Sequence, residues 1–320
     1  MKHFILVLAS AMLLLLASCG TKFAITSSGE TLLKLTKVTD LEEPCLNPFG
    51  GDDGHDLYFS VREEKKYYNI YKKENPFSNA ISQKTSGKNF NFSPAYCEAN
   101  GKIAFRCQLE GASTSDIYMM NNNQGKAMTQ ITESSNAWED NPCFSKDGKY
   151  LVYDKLINTY YKSKNFMGIQ NVVVIQNTEV WLRNLETGET MLLGNGSQPS
   201  FSPDGKTIVF VKYSSDAKSC SIWTMDTEGG NQNRLTDAKK GFAFHPRFSP
   251  DGKFIVFECQ KKDKKDFDIY TIDVNGNDLN QITQNKSYDG QPYWATDGYI
   301  YFVSDRGGKK GNYQIWRFKM

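Results

Sequence analysis

Pro199-Ser-Phe-Ser-Pro-Asp-Gly205 and Pro246-Arg-Phe-Ser-Pro-Asp-Gly252 repeat one phrase, and each runs directly into an apolar segment, Thr207-Ile-Val-Phe210 and Phe254-Ile-Val-Phe257. Pro142-Cys-Phe-Ser-Lys-Asp-Gly148 and Pro292-Tyr-Trp-Ala-Thr-Asp-Gly298 are further copies, and two decayed ones stand at Pro48-Phe-Gly-Gly-Asp-Asp-Gly54 and between Pro94 and Gly101. The prolines lie 46, 48, 57, 47 and 46 residues apart. A period in the forties marks a repeat architecture in which each unit buries its apolar face only against its neighbours.

Within a unit the pattern is that of four short strands. The Asp-Gly pairs fall between the first strand and the apolar second one, where glycine supplies the positive φ of a tight hairpin, so they read as structural and not catalytic. A second mark is carried by Asn69-Ile70-Tyr71, Asp116-Ile117-Tyr118, Glu179-Val180-Trp181, Ser221-Ile222-Trp223, Asp268-Ile269-Tyr270 and Gln314-Ile315-Trp316. Its Ile or Val stands 22, 23, 38, 23, 23 and 23 residues after the proline. It belongs to a third strand, and its aromatic residues read as packing between units. A turn glycine (Gly125, Gly188, Gly229, Gly276) then precedes a segment ending Ile131-Thr132, Leu235-Thr236 or Ile282-Thr283. Four-stranded antiparallel units at this period are propeller blades, and six copies predict an all-β, six-bladed β-propeller. Only 28 residues follow Pro292, room for three strands. Val38-Thr39 stands before Pro48 as Ile282-Thr283 stands before Pro292, so residues 31–40 are expected to supply the missing strand and remove the free sheet edges.

Ahead of the repeats, Met1-Lys2-His3, an apolar run from Phe4 to Leu16 and then Ala17-Ser18-Cys19-Gly20 have the layout of a secretory signal. The run is too short to span a bilayer. Leu16-Ala-Ser-Cys19 is similar to a bacterial lipobox, whose cysteine is lipidated on its sulfur and becomes the first mature residue. The expected organisation is therefore a lipoprotein signal peptide over 1–18, an anchor linker over 19–30 and the propeller over 31–320. Gly20 after the lipidated cysteine favours the outer membrane. Loss of Lys2 lowers the formal charge of +2 by one, a balance that demands neither nucleic acid nor an acidic surface. Six cysteines follow, Cys45, Cys97, Cys107, Cys143, Cys220 and Cys259. In an oxidising compartment an even count allows bridges, but about 15 pairings are open and none has a C-x-x-C spacing.

The blade phrase Pro-x-Phe-Ser-Pro-Asp-Gly-Lys followed by Ile-Val-Phe resembles the TolB-like, or PD40, family of propeller repeats. The resemblance covers residues 31–320 and is strongest in blades four and five. It implies a periplasmic propeller of the kind that binds a peptidoglycan-associated lipoprotein. Two departures are that no α/β domain precedes the propeller here and that the chain reads as anchored. Similar repeats also occur in the propellers of prolyl-oligopeptidase-type enzymes, but no G-x-S-x-G elbow or room for a hydrolase domain is read in this sequence. A third set, propeller lyases acting on pectic oligosaccharides, uses a histidine-rich metal site in the channel. His55 and His245 are the histidines after the signal, too few for three ligands, so no metal or cofactor is expected.

The residues before the six prolines, Asn47, Ser93, Asn141, Gln198, His245 and Gln291, are expected to crowd around one mouth of the channel. Such a ring could hydrogen-bond a sugar, a peptide end or a weakly held metal, or could hold water and satisfy its own loops. It contains no carboxylate to act as a general base. Residues 156–178 form the extra length of blade three, with Tyr160, Tyr161, Phe166 and Met167 in a second-to-third-strand loop. They read either as a hairpin protruding toward a partner or as one folded back on its blade. The charged runs 62–66, 261–266 and 306–310 read as solvated loops. The expected function is a non-enzymatic, monomeric envelope binding module whose partner is a protein or an envelope polysaccharide or peptidoglycan-associated component. The alternative is a carbohydrate-active or metal-using enzyme centred on His245 and Gln291.

Overall fold

The computed structural model describes residues 34–320 apart from 52–55, 124–126, 165–169, 216–217, 238–240 and 262–265, and apart from the side chains of 158–176 and 261. Residues 1–33, with Cys19 and the expected signal peptide, lie outside the described residues, as do His55 and Phe166. Blade one comprises β2 (Cys45–Gly50), β3 (Leu57–Glu63), β4 (Tyr67–Lys73) and β5 (Ile81–Gln83). Blade two is β6 (Phe90–Cys97), β7 (Lys102–Gln108), β8 (Asp116–Asn121) and β9 (Met128–Gln130). Blade three is β10 (Ala137–Phe144), β11 (Tyr150–Lys164), β12 (Gln170–Asn184) and β13 (Thr190–Asn195). Blade four is β14 (Ser197–Phe201), β15 (Thr207–Tyr213), β16 (Cys220–Asp226) and β17 (Asn233–Arg234). Blade five is β18 (Gly241–Phe248), β19 (Phe254–Lys261), β20 (Asp268–Asp273) and β21 (Asn280–Gln281). Blade six holds β22 (Asp289–Trp294), β23 (Tyr299–Ser304) and β24 (Gln314–Lys319), and β1 (Thr36–Lys37) is its outer strand, with Thr36 opposite Arg317. Consecutive strands pair antiparallel within each blade. The inner strands β2, β6, β10, β14, β18 and β22 each contact the next, and β22 contacts β2.

The second and third strands make the core because each blade is covered on both faces by its neighbours. Phe59, Phe105, Phe210, Phe257 and Phe302 on the second strands are buried, as are Ile70, Ile117, Val180, Ile222, Ile269 and Ile315 on the third. Strands covered on both faces read as unbroken apolar runs, which is how these appear in the sequence. The Ser-Pro-Asp-Gly turns are hairpins as expected. Asp204 accepts from the Ser202 hydroxyl at 2.6 Å and the Lys206 amide at 3.1 Å, and Gly205 has φ +71°. The Ser202 hydroxyl and Lys206 amide hold the Asp204 carboxyl below its usual range.

The outer strands are only two or three residues long in most blades because a threonine completes them. In four blades the third-strand isoleucine donates its amide to a threonine hydroxyl: Ile70 to Thr85, Ile117 to Thr132, Ile222 to Thr236 and Ile269 to Thr283, at 2.8–2.9 Å. In blade six the acceptor for Ile315 is Thr39, at 2.9 Å and across 276 positions of sequence, while Val38 N donates to Ile315 O at 2.7 Å. The Ile-Thr, Leu-Thr and Val-Thr pairs of the sequence are thus one hydrogen-bonding device used repeatedly.

The residues of the second mark pack between blades as expected: Tyr118 and Tyr270 belong to apolar clusters that join adjacent blades, and Tyr71, Trp181, Trp223 and Trp316 pack against such clusters. The three indoles are half-buried and also lie beneath cations, Lys155, Lys212 and Arg306 respectively. One expectation needs correction. Arg306, read as part of a solvated loop, instead pairs with the fully buried Asp289.

No disulfide joins the six described cysteines; five are buried and Cys259 is partly exposed. They stand in different strands and pack as small apolar groups, and burial pushes the thiols of Cys45, Cys107 and Cys220 up to about 12. Since the thiolate is the reactive form, iodoacetamide at mildly alkaline pH is expected to label Cys259 alone among the six in the native protein, and all six after denaturation. Rapid native labelling of Cys45 or Cys220, read by peptide mass spectrometry, would contradict this packing.

Candidate functional site

The six residues before the prolines share one backbone state. Asn47, Ser93, Asn141, Gln198, His245 and Gln291 have φ of 53°, 51°, 52°, 53°, 51° and 50°. Left-handed backbone costs a side-chain-bearing residue roughly 1–2 kcal/mol, so something must hold each one. Each sits in a β-bulge, where the register between first and second strand slips, as between Leu46 and Phe49 or Phe244 and Arg247. At four of the six the bulge turns the amide out of the ladder and toward the preceding blade, while the Asn141 amide donates to Asp140. His245 N donates to Gln198 Oε1 at 2.7 Å, and Asn47 N to Gln291 Oε1 at 2.8 Å. Gln198 N donates to Asp154 Oδ2 at 2.6 Å, and Gln291 N to Glu258 Oε2 at 2.6 Å. Blade four is tied to three, five to four, six to five and one to six, always in the same sense.

The ring therefore forms as expected, but Gln198 and His245, and Gln291 and Asn47, bond one another, and Asn141 bonds Asp140 and Asp154. The space left between them is about 20 Å³, enough for a single water and for no sugar or peptide end. This alters the sequence-based picture of a receptive mouth: the ring of amides closes the channel at this face.

None of the six ring residues is a carboxylate, but carboxylates stand directly behind them. Asp154 and Glu258 are on the second strands, and Asp140 precedes Asn141. Glu258 is 3% exposed and accepts from His245 Nδ1 at 3.0 Å, Tyr288 OH at 2.9 Å and the Gln291 amide. His245 Nε2 faces Gln198 Nε2 at 3.3 Å, so the proton of the neutral imidazole belongs on Nδ1, toward Glu258. Asp154 accepts from Asn141 Nδ2 at 3.0 Å as well as from Gln198 N. Burial, followed by the nearby Asp140 charge, raises the Asp154 carboxyl to about 7. Asp140 is itself paired with Arg106 at 3.2 Å, and Arg106 lies over Phe92 and Trp138. A signal for these groups exists in the sequence. They follow the apolar triplet of the second strand, where Ser60, Arg106, Asp154, Val211, Glu258 and Val303 are equivalent by register.

Beneath the ring the channel widens to a chamber of about 190 Å³ that opens among the Ser-Pro-Asp-Gly hairpins on the opposite face. Phe49, Tyr96 and Tyr293 line it, with Phe49 and Tyr293 in ring contact at 4.7 Å. Arg247 and Phe49 border both the chamber and the closed ring, so the guanidinium stands at the blind end. Among the described residues no three His, Cys, Asp or Glu side chains cluster as metal ligands would.

The blade-three insertion is a hairpin. β11 and β12 pair without interruption from Tyr150–Asn184 to Lys164–Gln170, extending from the face that carries the ring. Tyr160 and Tyr161 lie on this extension of β11; their side chains are outside the described set. The same face carries a row of aromatic rings missed in the sequence: Tyr213, Phe244, Phe267, Tyr288 and Tyr313 follow one another at centroid spacings of 6.2, 6.0, 5.7 and 5.4 Å, with Phe242 beside Phe244. All are partly exposed, although the hydroxyl end of Tyr288 is buried against Glu258. Each ring comes from a different strand end of blades four to six, so the row has no signature along the chain.

Comparison with known proteins agrees with this architecture. Residues 197–320 match the PD40 family, described as the TolB β-propeller domain. No curated protein sequence matches the chain. A TolB-assigned protein from Agrobacterium tumefaciens superposes with a TM-score of 0.60 at 18% identity, over 90% of this chain and 98% of that one. TolB from Acinetobacter baumannii gives 0.58 at 20% identity, over 84% of this chain and 65% of that one. An oligogalacturonate lyase in complex with manganese gives 0.58 at 16%, over 89% and 93%. At such identities the structural likeness speaks for fold alone. Residues 197–320 thus match the TolB β-propeller (PD40) domain, and the chain as a whole has the fold of a TolB-like propeller.

Proposed function

We propose that this protein is a lipid-anchored envelope propeller that binds a protein or envelope-polymer partner with the face carrying the ring. The observation that carries the reading is the row of partly exposed rings Phe242, Phe244, Phe267, Tyr288 and Tyr313, with the long β11–β12 hairpin rising from the same face. Rigid aromatic side chains give large contact area at small entropic cost, and they dominate the energetics of binding surfaces. The closed ring beneath them fixes the blades that present them.

The test is affinity capture from intact envelopes with the wild-type chain, a variant lacking residues 158–176 and the double variant Phe244→Ala, Phe267→Ala. A specific partner is expected with wild type and at least about tenfold less of it with each variant, as for loss of a hot-spot residue. Equal recovery with all three sinks the proposal.

A second reading, a carbohydrate-active propeller enzyme, draws on the Glu258–His245 hydrogen bond, which sets a carboxylate behind an imidazole as in general acid–base sites. Turnover of an envelope or plant oligosaccharide that disappears in His245→Ala would favour it over the binding reading.

A further inference from the structure

We propose that the chamber below the ring is a binding site for a small organic carboxylate with an apolar body, the carboxylate resting on Arg247 and the body among Phe49, Tyr96 and Tyr293. This site opens on the face opposite the aromatic row and is independent of the partner reading.

The first support is that nothing in the repeat asks for a cation there. The residues following the six prolines are Phe49, Ala95, Cys143, Ser200, Arg247 and Tyr293, and only one is charged. An aromatic or a small residue satisfies the same position in the other five blades.

The second support is the lack of a compensating anion. Arg62, Arg106 and Arg306 each pair with a carboxylate, Glu43, Asp140 and Asp289. Arg247 donates from Nη1 to the Pro246 carbonyl at 3.1 Å and has no carboxylate at ion-pair distance among the described residues. Cys143, Tyr293 and Asp154 are the groups that act on it electrostatically, and the Asp154 oxygen is already engaged by Gln198 N and Asn141 Nδ2. Burial accordingly lowers the guanidinium below its ordinary value. Arg247 is half-buried with its free edge toward the chamber, where the place of a protein anion is left to water or to an anionic ligand.

The third support is the shape and chemistry of the space. The chamber of about 190 Å³ has the volume of roughly six waters, suited to a short acid and not to a polymer. Its walls are aromatic, its blind end is the guanidinium, and its opening lies among Ser145, Ser202 and Ser249. Arg presents a planar fork that matches a carboxylate with two parallel hydrogen bonds. An apolar body behind the carboxylate covers the rings and further lowers the local dielectric around the pair.

The experiment is calorimetric titration of the full chain with phenylacetate and with N-acetyl-phenylalanine, each beside its neutral amide, and with chloride as the inorganic control. Phenylacetate stands for a free acid and N-acetyl-phenylalanine for a peptide C-terminus, so their ratio tells the two sources apart. At least one carboxylate is expected to bind about tenfold or more tightly than its amide and than chloride, and Arg247→Gln and Arg247→Met are each expected to weaken it about tenfold or more. Both variants are expected to melt at or above the wild-type temperature, since they lift an uncompensated charge. The proposal is overturned if no carboxylate binds, if chloride binds as well as the acids, if the variants bind as wild type does, or if neither variant folds.

Discussion

A chain lacking residues 31–40 is expected to melt roughly 10 °C or more below the full-length protein, with a broadened transition. The deletion removes the buried Val38 and Thr39, the backbone bond from Val38 N to Ile315 O, and the acceptor of the Ile315 amide. It also leaves the flanking Leu41, whose amide donates to Gln314 Oε1 at 3.0 Å, without the strand that leads into it. Beyond these losses, β24 becomes an exposed edge, and the apolar cluster of Val38, Leu57, Phe59, Tyr301 and Ile315 between blades six and one loses a wall. The single change Thr39→Val separates the hydrogen bond from the strand. It leaves a buried amide without an acceptor, a cost of about 1–3 kcal/mol. Thr132→Val breaks the same bond in blade two, where the threonine is close in sequence, and is the matched control. Urea unfolding of the three variants checks the claim; a deletion variant as stable as the parent would show that blade six does not need its borrowed strand.

Glu258→Ala is expected to cost about 3–5 kcal/mol, among the largest single-residue effects in the molecule. The carboxylate holds the Gln291 amide, the Tyr288 hydroxyl and His245 Nδ1, three donors from two blades, in a place where water is excluded. Removing it leaves the Gln291 bulge, already in left-handed backbone at φ 50°, with no acceptor for its amide. Glu258→Gln retains one acceptor oxygen and is expected to lose less. The equivalent positions in blades four and six are Val211 and Val303, so the fold itself does not require an acid here; the neighbours of Glu258 do. Chemical denaturation of both variants decides the matter, and an unchanged midpoint for Glu258→Ala would mean that these hydrogen bonds contribute nothing net.

How much of this was legible in the sequence depended on whether a feature repeats. The proline-to-glycine phrases fixed blade number and hairpin positions, because the same local geometry writes the same residues each time. The residues before the prolines could be placed on one ring for the same reason. What they do there could not be read: whether Gln198 faces a ligand or the His245 amide depends on the angle between two blades, which no spacing encodes. Asp154 and Glu258 do not stand out although their positions are periodic, because only some blades carry an acid there and the repeating apolar triplet ends one residue earlier. The aromatic row lies across strand ends from three blades and so leaves no trace in any one of them. Arg247 was passed over inside the very phrase that defines blade five, since its significance lies in the absence of a partner from the other five blades.

The pairing of β1 with β24 has an orientational consequence. β24 runs from the ring side toward the hairpin side, and β1 is antiparallel to it with Thr36 opposite Arg317, so residue 34 leaves the disc at its hairpin side. Under the lipid anchor proposed above, a tether attached at that point would favour hairpins toward the bilayer. The aromatic surface would then point away from the lipid, and the acid-sized cavity would open toward it.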